Sequence, residues 1–158
     1  MGRKKVKMTV EEVQAYFAKG IDCGQVVLLA LSDQLSISRE EAMRLAAGLG
    51  GGMFDGDTCG ACFAGIIAVG LKYGPTEAMG EDEFQAAKGQ TMLAVLKFKA
   101  AFRERFGDTG CRKLLGYKIP EEMKDVLESG RMMSFCPQLV SEAIDMLDML
   151  FRETDGIS

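Results

Sequence analysis

Cysteine is the residue type whose number and spacing in this sequence best suit chemistry, and two of the five cysteines form a Cys-x-x-Cys pair. Cys59 and Cys62 follow a glycine-rich stretch, residues 48–56, and lie at the start of a long apolar segment, residues 63–71. An uncharged apolar segment of this length is typical of a buried helix, which we expect to begin near Cys59. The pair is therefore predicted to lie where a glycine loop leads into a helix.

The start of a helix is a favourable place for a reactive thiol. A helix N-terminus carries partial positive charge and unpaired N–H groups, and both stabilise a thiolate relative to a thiol. With Thr58 or Asp57 as the N-cap, Cys59 and Cys62 would lie in the first turn on nearly the same face. The negative charge of Asp55 and Asp57 would oppose ionisation if these side chains pointed towards the thiols. We expect Cys59 to be the reactive thiolate.

The other three cysteines, Cys23, Cys111 and Cys136, are single, and each is predicted to lie at or near the start of a helix. Cysteines at helix ends can gather around one spot although they are far apart in sequence. In a reducing compartment such a group binds metal, undergoes redox cycling or is simply buried. The sequence has no histidine, which removes the commonest nitrogen ligand and the commonest general base. A metal site would therefore rely chiefly on sulfur.

Glycines next to the Cys-x-x-Cys pair permit two interpretations. Gly50, Gly51, Gly52 and Gly60 allow the backbone to approach an anion or cofactor closely. They match neither a phosphate-binding loop, which needs Gly-Lys-Ser/Thr, nor a dinucleotide fingerprint, which needs a preceding strand. The alternative is a tight turn with positive φ between two packed helices.

Length and composition indicate one globular domain. The chain has 158 residues, 47% of them apolar, and a net charge of −4, which argues against a nucleic-acid-binding surface. Neither a signal peptide nor a segment long enough to cross a membrane is recognisable, so we expect a cytoplasmic protein with no membrane insertion. The basic start, residues 1–8, is expected to be disordered, and residues 9–153 are expected to form the domain.

Period-3.6 apolar patterns recur along the chain and alternating strand patterns do not, which predicts an all-α bundle of about six to seven helices. Two apolar helices, residues 22–35 and 59–73, are expected at its centre. Capping boxes begin at Thr9 and Ser38, and the helix that follows Ser38 is predicted to continue to Leu49. Further helices are predicted for residues 82–106, for a short turn between Gly110 and Gly116, from Pro120 onwards, and for a last helix that begins after Cys136-Pro137.

The apolar residues chosen for two of these helices define their expected buried faces. The stripe predicted for residues 82–106 comprises Met92, Val95, Phe98, Phe102 and Phe106. The stripe predicted for the last helix comprises Leu139, Val140, Ala143, Ile144, Leu147, Leu150 and Phe151. Methionines near the C-terminus (Met132, Met133, Met146 and Met149) are expected to mark a subunit contact, so we expect a homo-oligomer, most simply a dimer.

The order of these features resembles the C-GCAxxG-C-C family of redox-active proteins. The resemblance extends over about residues 20–150 and rests on Cys23-Gly24-Gln25-Val26-Val27, Leu45 to Met53, Thr58-Cys59-Gly60-Ala61, Gly70 to Gly74, Cys111-Arg112 and Cys136. It implies a small all-α protein whose four family cysteines are Cys23, Cys59, Cys111 and Cys136. Cys62 lies outside that set, and where the family motif has a glycine this chain has Ala64, with Gly65 one residue later.

Pattern and resemblance together favour a cysteine-based redox or electron-transfer accessory protein with thiol–disulfide oxidoreductase-like activity. Cys59 would be the reactive thiolate, with Cys23, Cys111, Cys136 and Cys62 as resolving partners, and a redox partner protein would exchange electrons with them. In the second interpretation, Cys23, Cys59, Cys111 and Cys136 bind zinc or an iron–sulfur cluster. In the third, the protein is a structural or interaction protein whose cysteines are buried.

Overall fold

The computed structural model describes residues 4–156 and confirms the all-α prediction. Eight α-helices and one π-helical turn, Gly52–Gly56, make up this part of the chain, and its strand-like pairing is a single β-bridge. The helices are α1 (Val10–Ala18), α2 (Cys23–Leu31), α3 (Arg39–Leu45), α4 (Gly60–Tyr73), α5 (Glu81–Phe106), α6 (Cys111–Leu115), α7 (Met123–Ser129) and α8 (Arg131–Thr154). Seven of these α-helices have seven or more residues.

The two apolar helices predicted for the centre, α2 and α4, pack against each other and are largely buried. The boundaries of α4 agree with the prediction, and Gly74 follows its last residue. Helix α2 ends at Leu31, four residues before the predicted end. The hydroxyl of Ser32 donates to the Leu29 carbonyl at 2.9 Å, and Ser36 has a left-handed backbone with φ of 55°. These features turn the chain out of the helix before Leu35.

The amphipathic helices surround this pair, and their predicted starts agree best with the structure. Both capping boxes form: the Thr9 hydroxyl accepts from the Glu12 N–H at 3.1 Å, and the Ser38 hydroxyl from the Glu41 N–H at 3.0 Å. Such contacts span only three residues, so the local sequence determines them.

Two more predicted boundaries were wrong. Helix α3 ends at Leu45 rather than near residue 49, and α7 begins at Met123 because the residues from Pro120 to Glu122 form a turn.

Helix α5 buries a narrower face than predicted. Phe98 and Phe102 are in the core, but Met92, which was assigned to the same stripe, is 58% exposed. Ala94 is buried instead, because residues 94, 98 and 102 are four apart and form the row that faces the core.

Helix α8 buries all seven residues of its predicted stripe, but it begins at Arg131, before Cys136-Pro137. Pro137 therefore lies inside the helix and has no N–H to donate to the carbonyl four residues earlier. That carbonyl belongs to Met133, and the side-chain amide of Gln14 in α1 donates to it at 3.1 Å. A neighbouring helix thus satisfies the group that the proline leaves without its partner.

The segment before α1 has no helix but contacts the rest of the protein. The Ser141 hydroxyl donates to the Met8 carbonyl at 2.6 Å, and Val6 packs against the core. The predicted disorder of residues 1–8 falls partly on residues 1–3, which lie outside the described residues, and it stays a prediction. None of the helices in residues 4–156 combines the length and the apolar character needed to span a membrane.

Candidate thiol site

The N-terminal ends of α2 and α4 approach each other at two glycines, Gly24 and Gly60. A Cβ atom added to Gly60 would lie 2.6 Å from the Cys23 sulfur and 2.6 Å from the Leu49 carbonyl oxygen. A Cβ atom added to Gly24 would lie 2.9 Å from the Gly60 carbonyl oxygen. Both positions therefore require glycine for this packing, and the close approach brings Cys23 of α2 beside the residue that follows Cys59.

A short backbone pairing joins Cys59 to Cys111. Thr58 and Gly110 form an antiparallel bridge, in which the Cys59 N–H donates to the Thr109 carbonyl at 2.7 Å and the Cys111 N–H donates to the Asp57 carbonyl at 2.6 Å. Cys59 and Cys111 are diagonal neighbours across this bridge. Because side chains alternate between the two faces of a strand pair, such neighbours lie on the same face.

Cys136, in the second turn of α8, completes a group of four. Cys23, Cys59, Cys111 and Cys136 all line one cavity of about 270 Å³. The four residues come from four helices and span 113 positions of the chain (136 minus 23). The structure thus brings together the four cysteines that the resemblance singled out.

Cys62 is not part of this cavity lining, contrary to the expected shared face with Cys59. Cys59 is itself the N-cap of α4, in place of the predicted Thr58 or Asp57, and its backbone is not helical (φ −49°, ψ 130°). The side chains of Cys59 and Cys62 therefore do not follow helical spacing. Cys62 is fully buried in the core, where burial and the neighbouring Cys59 raise its pKa and the charges of Lys99 and Arg103 in α5 act in the opposite direction.

Burial dominates the ionisation of the thiols. It raises the pKa of Cys111 to about 11, of Cys136 to about 12 and of Cys62 to about 12, and it raises the pKa of Cys23 well above its ordinary value. The proximity of Cys59 raises the pKa values of Cys23, Cys111 and Cys136 further, since neighbouring thiolates would repel each other. The reduced site is therefore held as neutral thiols.

Cys59 differs from the other three cysteines in having backbone donors. Burial raises its pKa, while the N–H groups of Cys62 and Ala61 act in the opposite direction, although no complete side-chain capping hydrogen bond forms. Burial is the larger effect, so the helix end does not bring the pKa of Cys59 below its ordinary value, and its role as the reactive thiolate stays a prediction. The two acidic residues that could have opposed ionisation do not contribute to this shift. Asp55 and Asp57 are exposed, and Asp55 forms an ion pair with Arg112 at 3.5 Å.

The glycine-rich stretch forms a tight turn with positive φ, which was the alternative to a loop that binds an anion or cofactor. Gly51 (φ 55°) lines the cavity, and Gly52 (φ 63°) leaves no space for a Cβ atom, which would lie 2.9 Å from the Cys111 Cβ. Gly50 contacts the Asp22 carboxylate in the same manner. Two residues without a glycine's freedom, Met53 and Phe54, also have left-handed backbones. These contacts are with the protein's own groups, so they explain the glycines without a cofactor.

The sequence did not identify the remaining residues of the cavity wall. They are mostly apolar and include Phe17, Phe54, Leu115, Met123, Met132 and Leu139. Nothing in their local patterns distinguishes them from ordinary core positions. Asp22, the N-cap of α2, also lines the cavity, and burial raises its pKa.

The arrangement does not fit a metal ion. Within residues 4–156, no three or more side chains of Cys, His, Asp or Glu are arranged so that they could hold one. The site is instead a group of four thiols at one largely apolar cavity.

Fold and site together define a small helical protein with a four-thiol cavity. Residues 21–150 match the family described as "Putative redox-active protein (C_GCAxxG_C_C)", and the chain belongs to this family. Among the curated proteins and the solved structures, no match to this chain was found.

Proposed function

We propose that the protein carries out thiol–disulfide redox chemistry at the cavity lined by Cys23, Cys59, Cys111 and Cys136. The observation that supports this most strongly is the convergence of these four residues, from four separate helices, on one cavity. A purely structural role would leave buried cysteines scattered among the other core residues, as Cys62 is.

Cys59 is the proposed attacking residue. It is the only one of the four whose thiolate is favoured by backbone N–H groups at a helix start. Its thiolate attacks one sulfur of a disulfide substrate, breaks the S–S bond and forms a mixed disulfide, while the released sulfur takes up a proton. A second thiol of the protein then loses its proton and attacks Cys59, which forms a protein disulfide and releases the substrate's other sulfur as a thiol. Two protein thiols are oxidised, and one substrate disulfide is reduced to two thiols.

Cys111 and Cys23 are the proposed resolving thiols. Cys111 lies diagonally across the bridge from Cys59, and Cys23 contacts Gly60, the next residue after Cys59. Cys136 completes the set from α8. We further propose that the protein acts in the cytoplasm, where free thiols persist, and that a redox partner protein restores its thiols.

The test is to oxidise the anaerobically purified protein with a small disulfide and to map the resulting disulfides by mass spectrometry. We expect disulfides among the four cavity cysteines, and their loss in the Cys59→Ser variant. Cys62→Ser is the matched control and should leave them unchanged. Equal reactivity of all five cysteines, or none at any of the four, would overturn the proposal.

The same preparation distinguishes redox chemistry from the metal alternative. Bound zinc or iron, a visible absorption spectrum of a cluster, and thiols that become reactive only after chelation would favour a metal site. Metal-free protein whose thiols react reversibly with disulfides supports the proposed chemistry.

A further inference from the structure

We propose that the disulfide substrate of the cavity is apolar and uncharged, with a 1,2-dithiolane on an aliphatic chain as its simplest form. This inference rests on the proposed function and names the substrate class of the same site. The cavity wall consists mainly of Phe, Leu, Ile, Met and Cys side chains. Such a wall offers favourable burial to an aliphatic chain and, apart from Asp22, few polar side chains to a charged group.

The charges around the cavity argue against an anionic disulfide such as glutathione disulfide. Asp22 is the single charged side chain in the wall, as far as residues 4–156 are concerned, and it would repel a carboxylate. Two nearby arginines donate to backbone carbonyls and so are not free to pair with a ligand, although the charge of Arg131 still acts on Cys136. Arg131 donates to the carbonyls of Leu114 and Leu115 at 2.9 and 3.2 Å and stacks on Phe135. Arg112 donates to the Ile119 carbonyl at 2.8 Å.

The cavity also has a suitable size. Its volume of about 270 Å³ is just below the range of about 300–1,000 Å³ that is usual for small-molecule sites. The dithiolane ring and its chain could therefore enter, whereas the peptide arms of glutathione disulfide would have to remain outside.

The test compares lipoamide with lipoate, which carry the same dithiolane ring and differ in an amide or a carboxylate at the end of the chain. The rate at which each disulfide oxidises the reduced protein is divided by the rate at which the same disulfide oxidises free dithiothreitol. This ratio corrects for differences in the intrinsic reactivity of the disulfides. We expect lipoamide to react about tenfold faster than lipoate or more, because the carboxylate must lose water beside Asp22. Glutathione disulfide should be slower than both.

Two variants connect this preference to the cavity. Asp22→Asn keeps a good N-cap for α2 and removes the charge, so it should raise the rate with lipoate more than the rate with lipoamide. Asp33→Asn removes an exposed charge near the other end of α2 and should leave the ratio of the two rates unchanged. If glutathione disulfide or lipoate reacts as fast as lipoamide, the inference is wrong and the proposed function stands. If no disulfide reacts, the proposed function itself is wrong.

A separate observation, on the outer face of α5, carries an inference about assembly: we infer that two copies of the chain pair antiparallel through this helix. Leu93 and Leu96 are 65% and 58% exposed, although they lie near the middle of a helix of 26 residues. They belong to a row with alternating spacings of four and three, the heptad spacing of a helix–helix seam. The row is Asp82, Ala86, Gly89, Leu93, Leu96, Ala100 and Arg103.

The opposite charges at the two ends of α5 favour a second copy of the same helix as the partner and an antiparallel orientation. The first turn of α5 is acidic (Glu81, Asp82 and Glu83), and its last turn contains Arg103 and Arg105. Arg105 forms an ion pair with Glu142, whereas Asp82 and Arg103 have no ion-pair partner within residues 4–156. Antiparallel pairing of two α5 helices places the acidic end of one beside the basic end of the other. It also brings Leu93 of one copy to Leu96 of the other, with small residues on both sides.

Light scattering after size exclusion tests this pairing. The chain of 17.2 kDa should run as a dimer, and Leu93→Glu should make it monomeric. Leu127→Glu is the matched control, because Leu127 is 61% exposed but lies on α7. Reversing one charge, with Arg103→Glu, should raise the dissociation constant about threefold or more, and adding Asp82→Lys should reverse part of that loss. A monomer at about 100 μM, where even weak interfaces associate, would overturn the inference, as would a dimer insensitive to Leu93→Glu.

Discussion

The contact between α2 and α4 at Gly60 can be tested by adding a single methyl group. In Gly60→Ala the new Cβ atom would lie 2.6 Å from both the Cys23 sulfur and the Leu49 carbonyl oxygen. That is about 1 Å short of the 3.5–4.0 Å at which such atoms normally pack. Because the carbonyl belongs to the backbone, α2 and α4 must move apart at the site.

The expected cost follows from two opposing effects. Forcing a methyl group into packed structure costs about 1–3 kcal/mol, and the better helix propensity of alanine offsets at most about 1 kcal/mol. We therefore expect Gly60→Ala to lower the free energy of unfolding by about 1–2 kcal/mol, or the melting temperature by about 2–8 °C. The shift should also slow disulfide formation between Cys23 and Cys59.

Urea denaturation of the reduced protein provides the assay, and Gly70→Ala provides the control. Gly70 lies in the same helix, and a Cβ atom there would have no neighbour within 4 Å. Gly70→Ala should therefore stabilise the protein by up to about 1 kcal/mol. If Gly60→Ala proves as stable as Gly70→Ala, the two helices do not meet at this glycine and the account of the site fails.

Three further predictions concern ionisation and packing. Because burial raises the pKa of Cys111 from 9.0 to about 11, the folded state holds its proton where the unfolded chain has lost it. The stability of the reduced protein should thus fall as pH rises from about 9 to 11, and a flat profile in urea titrations would contradict this. Asp148 is fully buried and accepts from Arg152 at 2.9 Å, so Asp148→Ala should cost about 1–3 kcal/mol, and no measurable loss would refute it. Gly65 contacts the Phe98 ring, so Gly65→Ala should be destabilising, and less so in a Phe98→Leu background; additive effects would show that the two do not couple.

Features that depend on residues close in sequence were predictable. The two capping boxes and the seven buried residues of α8 agree with the structure, because a helix cap or a 3.6-residue period is readable within one turn or one helix. The predicted positions of the cysteines at helix starts suggested that they could gather at one spot, and the resemblance singled out the four that line the cavity.

Features that depend on another part of the fold were not predictable. Pro137 was expected before the last helix, and the amide of Gln14, 119 residues away from Met133, is what allows it inside. The sequence left open whether the helix end or nearby acidic charge controls the pKa of Cys59, and the larger effect, burial, depends on how much of the protein covers the thiol. Cys62 was grouped with Cys59 because helical spacing was assumed for a residue that is the N-cap.

The left-handed turn at Met53 and Phe54 places a limit on how stable this protein can become. A left-handed backbone costs a residue with a side chain about 1–2 kcal/mol, and a glycine hardly anything. Phe54 is 57% exposed and lines the cavity, so its ring contributes little to the core. Selection for stability alone would favour another glycine in the stretch of residues 48–56, which already has five. A phenylalanine at this position therefore costs backbone stability while it places an aromatic ring in the wall of the thiol cavity.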